Sequence, residues 1–177
     1  MTIDSTEVPI LLVMGVAGSG KTTIGRALAD RLRWPFAEGD AFHPAENVAK
    51  MAAGVPLSDA DRWPWLDAIA AWIAERVAEG RPAVVACSAL KRAYRDRLRI
   101  PAPALRIIYL EERRDVLETR IAGRSEHFFP RTLLGSQLVD LEPPQADENA
   151  VVASSGESID EVTAQVVEQL GIGAREP

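Results

Sequence analysis

Nine consecutive residues can do chemistry by their types and spacing alone. Gly15-Val16-Ala17-Gly18-Ser19-Gly20-Lys21-Thr22-Thr23 contains the pattern G-x-x-x-x-G-K-T, which cradles the phosphates of a nucleoside triphosphate when it stands between a strand and a helix. Gly15, Gly18 and Gly20 let the backbone wrap closely enough for its N–H groups to reach phosphate oxygens. A helix beginning near Lys21 aims the positive end of its dipole at the same anion. Lys21 adds a mobile point charge, and the Thr22 hydroxyl is placed to ligate Mg²⁺. A glycine-rich turn with no ligand is the plain alternative. It is disfavoured because an apolar run, Val8 to Val13, precedes the loop, and apolar residues at helical spacing, Ile24 to Leu32, follow it.

Other groups could complete a phosphoryl transfer. Asp40 follows a short strand, where a carboxylate can take the proton of an attacking hydroxyl or cap a turn. His43 fits a polyol contact or simple packing. Asp61 suits either a helix cap or the substrate side, and Arg62 beside it suits bidentate capture of a carboxylate. Ser88, Lys91 and Arg95, with the N–H groups of the segment leaving the third strand, make a second anion or hydroxyl site. Arg120 and Arg124, four apart, project from one side of a helix. They lead into a loop that can close over a triphosphate and neutralise charge in the transition state, or they are solvated surface arginines.

These side chains need a scaffold. Apolar runs predict strands over 8–14, 34–38, 83–87, 105–110 and 150–153. Helical spacing predicts helices over 21–32, 89–98, 116–122, 132–141 and 159–170. A further stripe, Leu66, Ile69, Ala70, Ile73 and Val77, follows Pro64, which suits a first helical turn. Residues 41–61 read as short helical pieces and loop. Alternating strands and helices, with the strands as continuous apolar runs, imply an α/β fold with a parallel sheet covered on both faces. Ligands then sit at the carboxyl ends of the strands, where the glycine-rich loop, Asp40 and Ser88 all fall. The chain of 177 residues is expected to form a single domain, with a lid over about 120–140.

Composition narrows the class. The net charge of −6 argues against a general nucleic-acid binder, which needs an extended basic surface. No apolar run is long enough for a membrane span, and no leader pattern opens the sequence. The one cysteine, Cys87, fits a reducing compartment, so a cytoplasmic protein is expected. Of 20 basic residues only Lys21, Lys50 and Lys91 are lysine, which marks positions where a compact ammonium is wanted.

In combination, MGVAGSGKTTIG, EGDAFHPAENVAKM, GVPLSDADRWPWL, VVACSALKRAYRDRLR, IIYL and EHFFPRTLLGSQLVDLEPPQADEN resemble the gluconate kinase family, related to the shikimate and nucleoside-monophosphate kinases. The resemblance implies a five-stranded parallel sheet with a mobile lid. It implies use of ATP to phosphorylate the 6-hydroxyl of D-gluconate, and a homodimer. It places Asp40, His43, Arg62, Ser88 and Lys91 on the sugar side, with His127 and Gln137 near the lid and substrate. Cys87-Ser88-Ala89 stands where a shikimate kinase would carry three glycines. The D-G-[FY]-P-R element of monophosphate kinases is absent, as is the N-K-x-D element of a GTP-dependent switch protein.

Overall fold

The computed structural model describes residues 8–123, 132–154 and 158–172. Five parallel strands form one sheet in the order β2-β3-β1-β4-β5: β1 is Ile10–Met14, β2 Phe36–Glu38, β3 Ala83–Ala86, β4 Arg106–Glu111 and β5 Val151–Ser154. β1 lies at the centre, with Leu12 registered against Val85 on one side and Ile107 on the other. All five β1 side chains are fully buried, as expected of a strand covered on both faces. Burial of each stabilises the fold by roughly 1.5–3 kcal/mol.

The two faces divide by strand alternation. Leu11, Val13, Val84, Ile108 and Leu110 pack on one side with α1 (Lys21–Leu32) and α7 (Ile159–Leu170). Ile10, Leu12, Met14, Val85 and Ile107 pack on the other with Leu66, Ile69 and Ile73 of α3 (Asp59–Ala78) and with Tyr94 and Leu98 of α4 (Arg92–Arg99). A smaller cluster, Val16, Leu90, Leu117 and Leu134, joins the loops above the sheet to α5 (Arg114–Ala122) and α6 (Thr132–Asp140). Between β2 and α3 lie a 3-10 turn at Gly39–Phe42 and α2 (Ala45–Ala52).

Two helix boundaries differ from the sequence expectation. α3 starts five residues before Pro64, because Ser58 caps it and shares a capping box with Asp61. Pro64 therefore lies inside the helix, in its second turn, where it withholds the backbone N–H that would otherwise bond the Ala60 carbonyl. α4 starts at Arg92, not at Ala89. Ala89 adopts φ 44° and Lys91 is extended at the N-cap, so residues 88–91 form a bent connection. Gly39 explains the tight exit from β2: a Cβ there would collide with the Ala86 carbonyl and with Cys87 at 3.1 Å.

Candidate active site

The glycine-rich loop emerges from the central strand and ends at Gly20, the N-cap of α1, at φ 94°. Gly18 stands at φ 82°. Both angles lie in the left-handed region that side chains resist. Val16 is buried in the small apolar cluster and Ser19 is fully buried, so these two serve the loop through their backbone. The Ala17 N–H donates to Oε1 of Gln137 at 2.6 Å. A carbonyl oxygen thus already sits on the kind of donor that would hold a phosphate oxygen, and the loop fits a triphosphate. Lys21 Nζ donates to the Val16 carbonyl at 3.1 Å. Thr22 Oγ1 donates to Glu38 Oε2 at 2.5 Å. A hydroxyl and a carboxylate side by side are hard oxygen donors of the kind Mg²⁺ takes. Glu38 was missed in the sequence, where it reads only as the end of a strand.

A cleft of about 760 Å³ opens over this loop. Ala17, Gly18, Gly20, Lys21, Thr22 and Thr23 line its phosphate side, with Glu38 near them. Asp40, His43, Arg62 and Ser88 line the facing side, and Gln137 of α6 reaches in from above. The strand order explains the meeting: β3 lies between β1 and β2, so residues following all three strands share one edge of the sheet. Trp65 of α3 is buried and donates its Nε1–H to the Gly39 carbonyl at 2.7 Å. It also stacks on His43, with centroids 4.1 Å apart. Burial pushes the His43 imidazole down to about 4; Asp40 opposes this shift and Arg62 assists it. His43 is therefore neutral at physiological pH.

Arg62 is buried and donates to Asp140 Oδ2 at 2.8 Å and to the Tyr94 hydroxyl at 2.9 Å. Lys91 bonds Asp59 at 2.9 Å and lies 3.6 Å from Asp140, and the Tyr94 hydroxyl also donates to Asp59. Two cations and two carboxylates thus form one cluster at the rim. Arg62 faces the cleft; Lys91 stands behind it, outside the lining. Asp140, Asp59 and Tyr94 gave no sequence signal, because their importance lies in partners far along the chain.

Three expectations are corrected. Arg95 does not face a ligand: it is 1% exposed, clasps Glu148 with 2.6 and 2.8 Å bonds, and donates to the carbonyls of Ala89 and Leu90. A guanidinium so enclosed has its donors spent on the protein. Asp61 also turns from the cleft. Hydrogen bonds from Lys50 (2.6 Å) and then from Ser58 hold its carboxyl down at about 2. The N-terminus of α4 is no vacant anion site either, since the Arg92 N–H donates to Glu142 at 2.7 Å. Arg120 bonds the Gly18 carbonyl and pairs with Glu112, both at 3.3 Å, so it braces the loop from behind. Arg124 and His127 lie outside the described residues. Cys87 is buried in the core, and that burial pushes its thiol up to about 12. No helix among the described residues is long and apolar enough to cross a membrane.

Comparison with known proteins identifies the family. The family model described as AAA domain matches residues 10–144. The gluconokinase of Gluconobacter oxydans (strain 621H) is 47% identical over 155 residues, covering 88% of this chain and 86% of that protein. The crystal structure of a gluconokinase from Sinorhizobium meliloti 1021 matches with a TM-score of 0.77 at 44% identity, over 91% of this chain and 94% of that one. An unliganded sugar kinase from Janibacter sp. HTCC2649 matches with a TM-score of 0.89 at 42% identity, over 93% and 95% of the two chains. The chain belongs to the gluconokinase family of P-loop kinases.

Proposed function

We propose that this chain transfers the γ-phosphoryl group of ATP to the 6-hydroxyl of D-gluconate, giving 6-phosphogluconate and ADP. The observation that carries the reading is the shared cleft, in which Lys21 and Thr22 face Asp40, His43 and Arg62. Lys21 and the loop N–H groups, from Gly15 through Thr23, hold the phosphates and spread the charge of the transition state. Asp40 accepts the proton of the 6-hydroxyl as that oxygen bonds to phosphorus and the bond to the ADP oxygen breaks. Thr22, with Glu38 beside it, would hold Mg²⁺, which supplies charge neutralisation across the phosphates. Arg62 recognises the carboxylate of the sugar acid; that carboxylate must share or displace Asp140. His43, Ser88 and Gln137 address hydroxyls, while Lys91 adds positive potential from the rim. Arg120, Arg124 and His127 belong to the lid side of this reading. The cytoplasmic location and the homodimer are part of the same proposal.

A coupled ADP-release assay with gluconate, shikimate and nucleoside monophosphates as acceptors tests it. Turnover with gluconate is expected. Turnover with shikimate or a monophosphate and none with gluconate overturns the reading.

A further inference from the structure

His43 has two ring nitrogens, and the groups around it bear on which one carries the proton. Asn47 of α2 is 3% exposed. Its Nδ2 lies 2.8 Å from the backbone carbonyl of Asp61 and 3.3 Å from Nδ1 of His43. A backbone carbonyl can only accept, so the Asn47 atom facing it must be the amide nitrogen and not the amide oxygen. That orientation presents the second N–H of the same group to His43 Nδ1. Facing a donor, Nδ1 must be the unprotonated nitrogen, and the proton of the neutral ring resides on Nε2. The stack on Trp65, itself tied to Gly39, holds the plane of the ring, and His43 lines the cleft.

We propose that Asn47 is a positioning residue for acceptor recognition: anchored on the Asp61 carbonyl, it locks His43 as the Nε2–H tautomer, so that the imidazole offers the sugar acid a neutral hydrogen-bond donor. The role assigned to the sugar acid rests on the gluconate reading above; the tautomer does not. The charged groups facing the ring are Asp40 from the 3-10 turn and Arg62 from α3. Burial, aided by Arg62, keeps the ring uncharged against the pull of Asp40. A neutral donor complements a hydroxyl or carboxylate oxygen without adding a second charge beside Arg62, and it serves an acceptor far better than an amine or ammonium ligand. The alternative tautomer would present a lone pair to the cleft and select for a donor instead.

The chain has only two histidines, His43 and His127, so long-range ¹H–¹⁵N correlation spectra of protein labelled with [¹⁵N]histidine report the tautomer directly. The signal lost in His43→Gln identifies His43. At neutral pH the wild-type ring should show a protonated Nε2 and a bare Nδ1; a protonated Nδ1 overturns the proposal without recourse to any variant. Asn47→Leu should release the lock, giving a mixture of tautomers, and should raise the KM for gluconate about tenfold, with kcat and the KM for ATP within about twofold. An Asn47→Leu protein with the wild-type tautomer and the wild-type gluconate KM overturns the proposal. A locked Nε2–H tautomer in an enzyme that ignores gluconate would overturn the substrate assignment instead and leave the role of Asn47 in setting the ring intact.

Discussion

The two walls of the cleft are built by different means. The phosphate wall is backbone: a loop on the central strand with glycines at φ 82° and 94° and with the Ala17 N–H on Gln137 of the cleft, Lys21 and Thr22 being its principal side chains. The acceptor wall is side chain: Asp40, His43, Arg62 and Ser88 come from separate segments, and Arg62 is held by hydrogen bonds to residues 32 and 78 positions away. A backbone cradle needs only local sequence to form. A side-chain wall depends on buried pairs that must be complete, because a buried charge without its partner is strongly destabilising. The nucleotide side should therefore survive changes that disable the acceptor side.

The sharpest way to break that contrast is Asp40→Asn. It should lower kcat by roughly two to four orders of magnitude, while ATP affinity, measured by calorimetry, stays near wild type. Loss of ATP binding would mean the two walls are not separable. Next in size is Arg95→Met, which strands Glu148 as a buried carboxylate and should lower stability in urea by about 3–5 kcal/mol. The double variant Arg95→Met, Glu148→Leu should recover most of the loss, since well-packed apolar substitutes often replace a buried pair without penalty. If the double variant is as unstable as the single one, the role of the pair is steric and not electrostatic. Lys91→Ala should raise the gluconate KM about three- to tenfold, because it removes positive potential beside Arg62 and frees Asp140 to compete for that guanidinium. A change confined to the KM for ATP would place Lys91 on the wrong wall.

The smallest effect concerns pH. The folded His43 pKa of about 4 lies below its ordinary value of 6.5. As pH falls between those values, the unfolded chain binds a proton that the folded chain refuses, so stability falls. Urea midpoints at pH 7 and pH 5 should drop more for the wild type than for His43→Gln. An equal drop in both would remove His43 from the acid sensitivity.

The same contrast explains what was legible in the sequence. Residues 15–23 announce their chemistry because phosphate binding there is local: glycine for the turn, lysine for charge, a strand before and a helix after. The parallel sheet and its cover on both faces followed from apolar runs and helical spacing, whereas the strand order became visible only in the structure. Arg95 misled because a guanidinium near a cleft reads as a ligand holder, and its partner Glu148 is 53 residues away. Asp59, Tyr94 and Asp140 were silent for the same reason. Pro64 suggests a later onset for α3, but the capping box of Ser58 and Asp61, also present in the sequence, starts the helix at Asp59. Asn47 looked like one more polar residue on a short helix until the Asp61 carbonyl came to stand over it.

The placement of β2 has a consequence for how the enzyme comes apart. Among the described residues it is the shortest strand, three residues long and paired only with β3, and it leads directly into the turn that bears Asp40. β1, fully enclosed and paired on both sides, leads into the phosphate loop. Fraying begins at short margins, so transient openings should detach the acceptor carboxylate while the nucleotide cradle stays assembled. Partial openings of this kind would interrupt transfer to the sugar before releasing the nucleotide.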